Sequence, residues 1–83
     1  MGRYLREARQ HAKKIEYFYD HAGESGFSQA RYYWDELSSL ALRASRSKRD
    51  KNDAPLIQEI KNSLKNMMDE MEERKNIKPN ASV

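Results

Sequence analysis

The chain has 83 residues, no cysteine, a net charge of +3 and barely more hydrophobic residues (37%) than charged ones (35%). These values exclude a disulfide framework and a thiolate metal site, and they leave room for one domain with a thin core. No apolar run approaches a membrane span and no signal-peptide pattern opens the chain, so a soluble, cytoplasmic protein is expected.

The first apolar series is Leu5, Ala8, Ala12, Ile15, Tyr19 and Ala22. Its alternating steps of three and four mark one face of an α-helix, and Gly23 after it suits a left-handed C-cap. A second series follows the same steps through Phe27, Ala30, Trp34, Leu37, Ala41 and Ala44, with Ser25 placed to cap its start. Residues 45–52 lose the pattern and are polar or charged. Asp53, Ala54 and Pro55 then read as a helix start, with Asp53 capping and proline tolerated in the first turn. The third series runs through Ile57, Ile60, Leu64, Met67 and Met71.

The spacing therefore predicts an all-α, up-down-up three-helix bundle with helices over 3–22, 26–45 and 54–75. Residues 1–76 form the single domain and 77–83 read as a flexible tail. The short first connection makes the first two helices antiparallel neighbours. Ala8 and Ala12 face the larger Trp34 and Phe27, so large side chains meet small ones.

The basic excess is concentrated in two segments. Residues 1–14 hold Arg3, Arg6, Arg9, Lys13 and Lys14 against Glu7, and residues 43–51 hold Arg43, Arg46, Lys48, Arg49 and Lys51 against Asp50. Such segments suit nucleic acid or an acidic protein partner.

Several apolar residues lie off the three seams. At 100° per residue, Tyr17 and Tyr32 fall opposite their seams and are expected to point to water. Phe18 and His11 flank one side of the first helix, and Tyr33 and Leu40 flank one side of the second. Leu56 and Met68 lie on opposite flanks of the third. An aromatic surface of this kind is enriched at protein interfaces.

No pattern points to catalysis, metal or cofactor. His11 and His21 lack a second ligand at metal spacing, and no phosphate-cradling glycine loop or nucleophile elbow occurs. The acidic run Asp69, Glu70, Glu72 and Glu73 is interleaved with Lys65 and Arg74 at helical pair spacing, which fits a solvated face.

The stretch from Gly26 to Trp34, Gly-Phe-Ser-Gln-Ala-Arg-Tyr-Tyr-Trp, resembles the Gly-x-aromatic-x-x-Ala-x-x-x-aromatic signature of helical-hairpin modules. These modules include tetratricopeptide repeats and the microtubule-interacting and transport domain, the latter a three-helix bundle of about this length. Ile60–Met67 is similar to the Ile-to-Leu pattern of that domain's third helix, whereas Gly26 and Phe27 are adjacent where the signature spaces them by one. The resemblance implies capture of a partner strip in a groove between helices, with Leu64, Met68 and Met71 lining it.

The expectation is a non-enzymatic protein-interaction module (an adaptor, regulator or inhibitor) with partner-binding residues Tyr17, Tyr32, Tyr33, Leu40, Leu64, Met68 and Met71. The alternative is a nucleic-acid-binding protein whose contacts are Arg43, Arg46, Lys48, Arg49 and Lys51, with the segment 1–14. A further alternative is a homodimer that buries the outward aromatics.

Overall fold

A computed structural model describes residues 2–21 and 26–76. The expected roles of Ala22, Gly23, Ser25 and the tail 77–83 lie outside the described residues. The chain is an all-α three-helix bundle, and no strand occurs among the described residues. No helix there is long and apolar enough to cross a membrane.

Helix α1 spans Arg3–His21 and α2 spans Phe27–Ser45. Their pairing is the most extensive in the molecule. Ala8, Ala30 and Ala44 are fully buried, so small side chains let the helices approach. Leu5, Ile15, Leu37 and Leu40 fill the space between and beside them.

The connection after α2 is more ordered than a polar loop. The Ser47 hydroxyl accepts the Asp50 backbone N–H at 3.2 Å and donates to the Asp50 carboxylate at 3.4 Å. The Asp50 carbonyl accepts the Asp53 N–H at 2.8 Å, closing a 3₁₀ turn over Lys51–Asp53. This serine-aspartate turn explains why Asp50 is only 9% exposed in so polar a stretch.

The third arm is two helices, α3 over Ala54–Ser63 and α4 over Lys65–Asn76, where the sequence predicts one. The break is at Leu64, whose N–H is shared between the Ile60 and Lys61 carbonyls at 3.2 Å each. Such three-centre bonds tighten a helical turn without proline or glycine. Proline lies in the first turn of α3, but the Asp53 side chain makes no capping hydrogen bond although the residue holds the N-cap position. That corrects its expected role.

Ile57, Leu64, Met68 and Met71 carry the third arm into the core. The Trp34 indole N–H donates to the Lys61 carbonyl at 3.0 Å, fixing α2 to α3 near the break. Cations cover the rims of the core rings, with Lys61 4.4 Å from the Trp34 centroid and Arg74 4.7 Å from that of Tyr19.

Candidate interaction surface

The outer face of the α1–α2 pair carries a continuous chain of rings. His21 stacks on Tyr17 at 4.6 Å between centroids, and the His21 Nδ1–H donates to the Tyr17 carbonyl at 3.1 Å. Tyr17 meets Phe18 edge-on at 5.7 Å. Phe18 lies parallel to Tyr33 of α2 at 6.3 Å, and Tyr33 meets Tyr32 edge-on at 5.3 Å. His11 closes on the other side of Tyr33 at 5.2 Å, and the Lys14 ammonium sits 4.9 Å above the same ring. Offset and edge-on contacts of this kind hold aromatic rings in fixed relative orientation.

Tyr17 and Tyr32 are 58% and 60% exposed, as their positions opposite the seams predict. Tyr33 is half-buried and is the ring through which the two helices' aromatics join. His11 is half-buried too, and its Nδ1 has no hydrogen-bond partner. Burial pushes its pKa below the ordinary value, with Lys14 adding to the effect and Glu7 opposing it. Burial thus favours the neutral imidazole, which packs as part of the ring surface.

Four expected partner-binding residues are buried. Leu40, Leu64, Met68 and Met71 are buried in the core, where they pack against one another's helices. Leu64 and Met71 are seam positions, and the flanking Leu40 and Met68 are covered too because each helix of a three-helix bundle faces two neighbours. Leu40, Met68 and Met71 are thus core residues and not docking residues, whereas Leu64 is a core residue that also lines the groove between α1 and α3.

A groove nevertheless runs between α1 and α3, which touch less extensively than either touches α2. Leu5, Ala12, Leu56, Ile60 and Leu64 form its apolar lining, and Arg9, Lys13, Glu16 and Glu59 its charged lining. Leu56 is 45% exposed. Leu42, also exposed, lies in a separate shallow groove between α2 and α3 beside Ala54 and Pro55. It directly follows the seam residue Ala41, about 100° further around the helix and so turned off the seam.

Arg43, Arg46, Lys48, Arg49 and Lys51 are all exposed. The ion pairs of the described residues are the helical pairs Arg31–Asp35, Lys65–Asp69 and Glu70–Arg74, and none uses these five cations. Among the described residues no group of three or more His, Asp or Glu side chains is arranged to hold a metal ion. Comparison with known proteins finds no family model, no curated protein and no solved structure that matches the chain.

Proposed function

We propose that the chain is a non-enzymatic protein-interaction module that docks a partner protein on the aromatic face of α1 and α2. The observation that carries this reading is the six-ring chain itself. Its exposed members, Tyr17 and Tyr32, pack on other rings, Tyr17 stacked on His21 and Tyr32 edge-on to Tyr33, while more than half exposed, and neither belongs to the core. Core packing does not require them there. Tyrosines held in fixed orientation offer a large contact area at low entropic cost, which is why they recur at interface centres.

The test is quantitative capture from the native cell with wild-type protein and a Tyr17→Ser/Tyr32→Ser variant. Proteins retained by the wild type and lost by a variant of unchanged melting temperature support the reading. Identical capture by both removes it. Sedimentation at micromolar concentration separates a homodimer from a monomer on the same face.

The α1–α3 groove supports a second docking reading, in line with the helical-hairpin resemblance. The exposed Leu56 and the small side chain of Ala12 both line it, which leaves space for one apolar strip. Leu56→Glu blocks that strip and leaves the aromatic face intact. Capture lost in Leu56→Glu and kept in the tyrosine variant assigns the groove.

A further inference from the structure

Arg3 opens α1 and Arg49 lies in the turn after α2, yet both line one polar cavity with Gly2, Tyr4, Ser47 and Asp50. The antiparallel pairing of α1 and α2 brings the start of one helix beside the end of the other. The start of the first basic segment and the second basic segment, far apart in sequence, thus meet at one end of the bundle. Five arginines gather there, Arg3, Arg6, Arg43, Arg46 and Arg49, with Lys48 and Lys51 beside them, and all are exposed. The carboxylates at this end are Glu7, Asp50 and Asp53, and Asp50 is largely buried and engaged by Ser47.

Helix stability does not account for this arrangement. Arg3 and Arg6 occupy the first turn of α1, which contains no acidic residue. The helix dipole disfavours positive charge at that position. None of the ion pairs among the described residues neutralises the cluster.

We propose that this end binds the phosphate backbone of a nucleic-acid duplex, independently of sequence and separately from the aromatic face. Arginine dominates the cluster, and its planar fork matches phosphate oxygens in pairs. A docked protein or an inserted membrane needs an apolar patch amid the charge. The nearby exposed leucines do not supply one, because Leu42 and Leu56 line two different grooves. A single strand needs exposed rings on which bases stack. The exposed Tyr17 is about 21 Å along α1 from Arg3 at the helical rise per residue. Tyr4, the ring at this end, is half-buried with the Arg3 guanidinium 5.2 Å from its centroid.

The experiment is fluorescence anisotropy with the full chain and a labelled mixed-sequence DNA duplex of about 30 base pairs, at about 50 and 200 mM salt. If five cations sit on phosphates, the log–log salt slope is about −4.5, a loss of roughly 500-fold across that range. Arg46→Glu/Arg49→Glu should weaken binding at least about tenfold and flatten the slope by about two, whereas Tyr17→Ser/Tyr32→Ser binds as the wild type does. Melting curves check that each variant folds, and Arg46→Gln/Arg49→Gln replaces the charge reversal if that variant unfolds. The proposal is overturned by no duplex binding at the lower salt or by binding indifferent to both arginine variants. A preference for the single strand that disappears with the tyrosines also overturns it, as does a preference for phosphatidylserine vesicles over the duplex.

Discussion

The Tyr19 phenol donates a 2.6 Å hydrogen bond to Oε1 of Glu70, joining α1 to α4 across 51 positions of sequence. Arg74 completes the link. It pairs with Oε2 of Glu70 at 3.1 Å, donates to the Tyr19 carbonyl at 3.2 Å and lies over the Tyr19 ring. The hydrogen bond from Tyr19, with Arg74 assisting, holds the Glu70 carboxyl below its ordinary pKa of 4.5. The same hydrogen bond raises the Tyr19 phenol above its ordinary 10.0.

The pH dependence follows from those directions. The Glu70 contribution to stability is present above the unfolded carboxylate pKa and fades as pH falls through the lowered folded value. The Tyr19 contribution is present below the unfolded phenol pKa and fades as pH rises through the raised folded value. A Glu70→Gln variant should lose the acid-side component, so its melting temperature falls less than that of the wild type between about pH 5 and pH 3. Parallel acid melting profiles would refute the link. Both groups are solvent-exposed, so the difference is small.

Trp34 anchors α2 to α3 in two separable ways, through its ring and through its N–H. Trp34→Phe keeps most of the ring and removes the bond to the Lys61 carbonyl, at a cost of about 1 kcal/mol. Trp34→Ala removes both and should cost about 3 kcal/mol or more, a large share of the stability of so small a domain. Urea unfolding of the two variants measures the difference.

Ala8 and Ala30 are fully buried at the α1–α2 contact. Enlarging either to leucine forces the helices apart and should destabilise by about 1–3 kcal/mol, even though leucine is a good helix former. A thermal melt that rises for Ala30→Leu would show that the contact has spare room.

Gly2 is a close-approach position. A Cβ built there would meet the Asp50 carboxylate at 2.5 Å and the Asp53 carboxylate at 2.6 Å. Asp53 can swing away, but Asp50 is held by Ser47. Gly2→Ala should therefore disturb the start of α1, where the Gly2 carbonyl accepts the Arg6 N–H at 3.1 Å, and cost about 1 kcal/mol. Chemical-shift changes confined to the first turn of α1 and the turn at residues 47–53 are the expected signature.

Fold class was legible because the three apolar series keep helical steps throughout, and Leu5, Ala8, Ile15, Ala30, Leu37 and Ile57 are buried where those steps place them. Tyr17 and Tyr32 were legible as outward residues for the same reason. The break at Leu64 was not, since it arises from a shared carbonyl geometry and not from a helix-breaking residue. The joining of Phe18 to Tyr33 was also hidden, because it depends on how α1 and α2 are rotated about their axes. The burial of Leu40 and Met68 is not legible in a wheel drawn for one helix, which does not show a second neighbour covering its flank.

The interruption at Leu64 divides the third arm into parts of unequal grip. Helix α3 is bound broadly to α2, whereas α4 touches α1 and α2 over less surface and relies on Met68, Met71 and the Tyr19–Glu70–Arg74 link. Segments with fewer buried contacts open at lower free energy than the rest of a domain. Amide protons of α4 should thus exchange with deuterium as one cooperative group, ahead of those in the middle of α1 and α2. The bundle then has a foundation of α1, α2 and α3, from which α4 can lift away while the foundation stays folded.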